Sequence, residues 1–300
     1  KRRRKMNIKE YLKSKAESVE KSITGYLEEL HYPEVIAEGM RYAVLNGGKR
    51  IRPVLLLMVL ELLKCKEEKG MATAAAIEMI HSYSLVHDDL PALDNDDYRR
   101  GKLTTHKKFG EAEGILIGDA LLTHAFYILS EKNMDIVESS KIVKIISKTA
   151  EYSGVNGMIG GQMVDIDSEG KRIELPVLQY IHTHKTGKLL RLPVEAGIII
   201  AGATAKQEEV LKEYAELIGL AFQIKDDILD IEGDFEKIGK PVASDLKLEK
   251  STYPSIFGLE QSKEILKEKV EMAKKIISDE FGEDRQWFVK LAEYIAEREM

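Results

Sequence analysis

The segment from Ala72 to Leu90 constrains this chain most. It reads as one long helix, apolar on nearly all sides, and such a helix has to be covered by other elements of a helical protein. It runs straight into His87-Asp88-Asp89-Leu90-Pro91-Ala92-Leu93-Asp94-Asn95-Asp96-Asp97, which places five carboxylates within ten residues. Pro91 should end the helix near Leu90. Asp88 and Asp89 then fall at a C-terminal helix end, where the dipole disfavours negative charge. Like charges beside an apolar run repel, and folding alone gives no reason to gather them. Hard oxygen donors in this number point to Mg²⁺ or Ca²⁺. Arg99-Arg100-Gly101-Lys102, directly downstream, points to an anion as well.

An acid run is ordinarily a solvated loop or a cap. A second cluster argues against that here. Asp226-Asp227-Ile228-Leu229-Asp230 lies more than a hundred residues downstream, again at the end of an apolar helical run. The pair is expected to form two walls of one metal site. At ~100° per residue, Asp226, Asp227 and Asp230 share about a third of a helix circumference, with Asp226 and Asp230 one turn apart. The first cluster is two residues longer than a DDxxD pattern, so Asp94 should return by a loop or a distorted turn.

Helical signals fill the rest of the chain. Apolar residues recur at three- and four-residue steps over 8–30, and Pro33 separates this stretch from a second helix, Val35 to Val44. Gly47-Gly48 breaks that helix. Lys49-Arg50-Ile51-Arg52-Pro53 then leads into the apolar helix Val54 to Leu63, with cations at a helix entrance suited to anions. Further helices are expected over Glu111 to Ser130, Ile136 to Val155 and Leu175 to Gly202, and from Glu208 into the second acid cluster. Two amphipathic helices, 261–280 and 284–298, close the chain after a loop over 233–255. Gly154, Gly157, Gly160 and Gly161, followed by Gln162 and Asp165, suggest close helix–helix or helix–ligand approach. No strand series is visible, so the fold class is all-α. With no Pro/Gly/Ser-rich linker and no repeat, residues 1–300 read as one domain.

A net charge of -6 argues against nucleic acid as the main partner. Cys65 is the only cysteine, which excludes an internal disulfide framework and fits a reducing, cytoplasmic compartment. The longest apolar run, Pro53 to Leu60, is too short to span a bilayer, and no secretory signal is present. Lys1 to Lys5 are read as a basic, flexible tail before Met6, which looks like a natural start. Other chemistries fail on detail. Gly233 to Lys240 has five residues between its glycines and Pro241 where a phosphate loop needs Ser or Thr. Asp94-Asn95-Asp96 begins like a calcium loop, but Arg99 takes its glycine position. His182 and His184 lack a matching zinc set. Two carboxylate walls, a basic entrance and apolar helices therefore suit a substrate with a diphosphate head and a hydrocarbon tail, with Mg²⁺ making the diphosphate a good leaving group.

These residues resemble the trans-prenyl diphosphate synthases. The likeness rests on Gly47 to Pro53, the first cluster with Arg99-Arg100-Gly101, Gly161-Gln162, Lys185-Thr186-Gly187, Phe222 to Asp230, and Gly239-Lys240. It runs from about residue 20 to the C-terminus, and the DDxxxxD form of the first motif is that of the bacterial farnesyl diphosphate synthases. The resemblance implies a bundle of ten or more helices around a central cavity, in a homodimer. It implies Mg²⁺-dependent 1'-4 condensation of isopentenyl diphosphate with dimethylallyl and then geranyl diphosphate. By position, Asp88, Asp94 and Asp226 would be primary Mg²⁺ ligands, supported by Asp89, Asp227 and Asp230. About three ions are expected per site, with Mn²⁺ as a substitute. Lys49, Arg52, His81 and Arg100 would hold isopentenyl diphosphate, and Arg99 and Lys240 the allylic diphosphate. Lys185, Thr186 and Gln223 would face the developing cation or hold the leaving group, and Lys250 would close over the diphosphate.

Tyr83, five residues before Asp88, lies ~7.5 Å deeper along the helix, where the family places its length-limiting side chain. A ring there implies a C15 product, and the small Ser84 should not shorten it to C10. The alternatives are a synthase releasing mainly geranyl or geranylgeranyl diphosphate and a non-catalytic partner subunit. A terpene cyclase would carry an Asn/Ser/Glu motif where this chain has Asp226 to Asp230.

Overall fold

A computed structural model of the chain describes residues 6–171, 173–236 and 252–298, without the side chains of 233–236. The described residues are almost wholly helical, as the all-α reading requires. The chain divides into two compact units, residues 1–149 with 196–202, and residues 150–195 with 203–300.

The first unit is built on two buried helices. α1 (Ile8–Glu28), α2 (Glu34–Leu45), α3 (Ile51–Leu62) and α4 (Met71–Asp88) follow in order. In α3 every residue from Pro53 to Leu60 is buried, and α4 buries all but a few of its side chains. Leu55, Leu56, Leu57 and Leu60 are wholly inaccessible, and each contributes about 2 kcal/mol by leaving water. The short hairpin of β1 (Tyr98–Arg99) and β2 (Lys102–Leu103) follows, then α5 (Thr105–Phe109), α6 (Glu111–Glu131) and α7 (Ser139–Ser153). α6 covers α4 with Gly114, Ile117, Gly118, Leu121, Ala125, Ile128 and Leu129. Among the described residues α6 is also the one helix long and apolar enough to cross a membrane, by length and composition alone. Its packing on α4 accounts for much of that apolar surface.

The second unit contains α8 (Met158–Ser168), α9 (Leu175–Ile181), a π-helical segment (His182–Gly187), the part of α10 (Lys188–Ala201) up to Glu195, and α11 (Ala205–Glu236). α12 (Tyr253–Phe257), α13 (Leu259–Phe281) and α14 (Gln286–Glu297) complete it. Tyr214 on α11 and Phe288 on α14 meet edge to face, and Tyr214 donates its hydroxyl proton to the Phe288 carbonyl at 2.7 Å.

Four details differ from the sequence reading. α3 begins at Ile51, so Pro53 is its third residue and not its first. The expected helix Leu175 to Gly202 is interrupted by the π segment, a widened turn that residue periodicity does not reveal. α11 runs to Glu236, and α12 begins inside the expected 233–255 loop and continues to Phe257. One two-residue hairpin appears where no strand was expected.

A buried ion pair locks the first unit. Arg50, left-handed at φ 51°, donates Nη1 to Glu78 Oε1 on α4 at 2.8 Å, Nη2 to the Val44 carbonyl at 2.6 Å and Nε to Glu20 at 2.9 Å. The two paired side chains are 1% and 2% exposed. Removing one partner leaves the other charge buried. Glu78→Ala should therefore lower the stability of the chain by about 3 kcal/mol, read as a shift in its urea midpoint.

Candidate active site

The first acid cluster sits where α4 stops. α4 ends at Asp88, with Asp89 as its cap residue. The chain then turns back: Asp94 N donates to the Asp88 carbonyl at 2.9 Å and Asn95 N to the Leu90 carbonyl at 3.1 Å. This is the return of Asp94 that the extra residues required. Asp88 is half-buried and Asp94 exposed, whereas Asp89 is buried and paired with Arg99. Arg99 Nε and Nη2 reach both oxygens of Asp89 at 2.6–2.9 Å. Burial pushes the Asp89 carboxyl above the ordinary carboxylate range, against the pull of Arg99.

The hairpin explains the Arg99-Arg100-Gly101-Lys102 sequence. Arg99 pairs with Lys102, and the two residues between them both have positive φ, 54° at Arg100 and 76° at Gly101, as a two-residue hairpin turn demands. The turn brings the Arg100 guanidinium to the Gly47 carbonyl. Arg52 Nη1 lies 3.3 Å from His81 Nε2. Burial, then Arg52 and Arg100, hold His81 well below its usual range, so its ring stays neutral. Arg52, His81 and Arg100 thus gather in the first unit, as expected of an anion site.

Tyr83 is buried on α4, and its hydroxyl has no hydrogen-bond partner. Its ring meets His87 edge-on at 5.8 Å, and His87 lies over Gly118 of α6. Burial, with Asp88 second, pushes the Tyr83 hydroxyl up to about 12. Ser84 turns its hydroxyl back to the His81 carbonyl at 2.8 Å.

The second cluster lines a cavity of about 560 Å³ in the second unit. Gln223, Asp226, Asp227 and Asp230 of α11 face it, with Lys185 and Thr186 of the π segment. Thr252, which caps α12, and Arg298, which follows α14, complete the polar wall. Ile173, Leu178, Ile181 and Leu229 supply apolar surface. The widened turn lets His182, Lys185 and Thr186 all reach the lining. Gly161 makes the arrangement possible: a β-carbon there would stand 2.1 Å from the Lys185 backbone nitrogen. This close packing of α8 on the π segment lets Lys185 Nζ meet Asp165 Oδ2 at 2.6 Å. Asp227 accepts from Tyr253 N at 2.9 Å and lies 3.8 Å from His182 Nε2. Asp226 accepts from Arg298 at 2.6 Å.

Asp165 and Arg298 were not among the expected site residues. Asp165 carried a cue, four residues after Gly161, whereas Arg298 carried none. Lys240 and Lys250 lie outside the described residues. No group of three His, Cys, Asp or Glu residues close enough to enclose a metal ion occurs among the described residues.

Comparison with known proteins gives the family. The polyprenyl synthetase family model matches residues 33–286. The chain belongs to the polyprenyl synthetase family. It is 47% identical to the farnesyl diphosphate synthase of Geobacillus stearothermophilus over 270 residues, which cover 90% of this chain and 91% of that protein. It is 42% identical to the chloroplastic geranylgeranyl pyrophosphate synthase of Capsicum annuum, over 98% of this chain and 79% of that protein. The crystal structure of a geranyltransferase from Legionella pneumophila superimposes with a TM-score of 0.87 at 30% identity, covering 96% of each chain.

His182, at the edge of the α11 cavity, carries a pH signature. Burial lowers it to about 4 from an ordinary 6.5. The folded chain therefore binds this proton less readily than the unfolded chain. The associated stability is complete above pH 6.5 and is lost as pH falls from 6.5 to about 4, on the order of 3 kcal/mol in all. Urea midpoints should fall across this window in the native chain and fall less in His182→Gln.

Proposed function

We propose that this enzyme condenses isopentenyl diphosphate with dimethylallyl diphosphate and then with geranyl diphosphate, head to tail, giving farnesyl diphosphate. The observation that carries this reading is the α11 cavity, where Asp226, Asp227, Asp230, Lys185, Thr186 and Gln223 meet on one polar wall beside apolar side chains. The family and the farnesyl diphosphate synthase relative support it.

The donor chemistry fits Mg²⁺. All candidate ligands are carboxylates, and they form no closed cage. Mg²⁺ is typically held by one or two carboxylates and completed by water and substrate phosphates. We assign Asp88, Asp94 and Asp226 as primary ligands and Asp89, Asp227 and Asp230 as their support, for about three ions. When held there, the cations would supply the charge neutralisation that lets the allylic diphosphate leave with its electron pair.

The chain's own residues do the rest. Lys49, Arg52 and Arg100 hold the isopentenyl diphosphate, with the neutral His81 ring fixing Arg52. Arg99, oriented by Asp89, contacts the allylic diphosphate together with Lys240 and Lys250. Lys185, Thr186 and Gln223 turn carbonyl and hydroxyl dipoles toward the allylic cation as the C–O bond breaks. The double bond of isopentenyl diphosphate attacks that cation, and the departed diphosphate takes the proton that restores a double bond. The apolar lining keeps water from the cation.

The compartment is read as cytoplasmic. The assembly is read as a homodimer, supported by the exposed apolar side chains Leu116 and Tyr127 on α6. A non-catalytic subunit is disfavoured, since such subunits usually lose Asp motifs and both are intact here.

Two experiments test this function. The purified chain with isopentenyl and dimethylallyl diphosphates and Mg²⁺ should release C15 product, identified by mass. Asp88→Ala and Asp226→Ala should each slow turnover by about a thousandfold or more with an unchanged circular dichroism spectrum, and near-normal rates in both would sink the metal assignment. Tyr83 is read as the floor that stops the chain at C15. Tyr83→Ala should lengthen the main product to C20 or beyond on chromatography, whereas unchanged C15 would remove that role.

A further inference from the structure

The second unit holds an ion pair that the reaction as described does not use. Arg298 Nη2 donates to Asp226 Oδ1 at 2.6 Å and to the Phe222 carbonyl at 2.9 Å. Its guanidinium carbon lies 3.8 Å from the centre of the Phe222 ring. The Arg298 side chain is 7% exposed, against 45% for Asp226. A carboxylate, a carbonyl and an aromatic face, all on one turn of α11, thus fix the same guanidinium. A surface ion pair formed by chance lacks this three-way support.

The oxygen involved belongs to a carboxylate assigned above as a metal ligand. Mg²⁺ binds oxygen at ~2.1 Å, and a guanidinium at hydrogen-bond distance competes for the same lone pairs and repels the incoming cation. Two other carboxylates of this cavity have partners of another kind. Asp227 accepts from a backbone N–H, and Asp165 takes Lys185, which is itself part of the wall. Arg298 is the residue after the last of α14, with extended backbone at φ -58° and ψ 137°. It can leave Asp226 without unwinding a helix.

We propose that Arg298 is the resident counter-ion of Asp226, a positioning residue that holds this carboxylate toward the cavity and that the metal must displace. The inference rests on the reading of Asp226 as a metal ligand. It makes first-metal affinity a balance between the cation and a residue of the chain's own C-terminal end.

The test is Mn²⁺ binding to the full chain without substrate, followed by the electron paramagnetic resonance signal of free Mn²⁺. Arg298→Ala should bind Mn²⁺ about three- to tenfold more tightly than the native chain. Phe222→Leu, which keeps both charges but removes the stacking face, should shift affinity in the same direction by a smaller factor. Unchanged or weaker binding in Arg298→Ala overturns the proposal. So does a tightening in Arg298→Ala that disappears in 0.5 M salt (about a 4 Å screening length), because long-range repulsion alone would then explain it. Asp226→Asn separates the two levels: native-like Mn²⁺ binding there overturns the metal assignment itself, whatever Arg298 does.

Discussion

A charged side chain drawn out of water needs a partner, and several of the described candidate residues are paired in that way. Asp89 has the fork of Arg99, Asp165 has Lys185, Asp226 has Arg298, and Asp227 has the Tyr253 amide. Deeper in the first unit Glu78 has Arg50. Such pairs recover their desolvation cost at best, so stability alone does not explain why a chain would collect them. They keep charged groups oriented and available inside a helical protein, which a diphosphate and its cations require.

The apolar scaffold makes this possible. α3 and α4 are almost fully buried and fix the backbone on which Arg50, Glu78, His81, Tyr83 and Asp88 are carried. At the end of α4 the dipole opposes Asp88 and Asp89, and the turn through Pro91 and the hairpin answers by returning Asp94 and supplying Arg99. In the second unit the same need for close fit appears at Gly161, where a methyl group would push the π segment away from α8. The widened turn lets His182, Lys185 and Thr186 share one lining.

Within the family, overall similarity does not separate chain lengths. A farnesyl and a geranylgeranyl synthase are both more than 40% identical to this chain. The proposed floor, Tyr83, is buried on α4, and its assignment rests on that position and not on overall identity. Its hydroxyl is left without a partner in apolar surroundings, which fits a ring kept there for its bulk.

The sequence by itself determined the fold class and the order of the helices and put forward the candidate site residues, because these are local properties. Helical periodicity, a proline after an acid pair and carboxylates one turn apart on α11 are all written in spacings of a few residues. Tertiary structure decided the pairings. That Arg99 grips Asp89, that Lys185 meets Asp165 and that Arg298 closes on Asp226 follow from packing between segments up to 72 residues apart. The π segment belongs to the same class, since its extra residue per turn is fixed by the approach of α8 and leaves no mark in periodicity. For this reason the acid cluster after α4 was readable as a site at once, whereas the cations that hold its carboxylate and the one on α11 had to be seen in three dimensions.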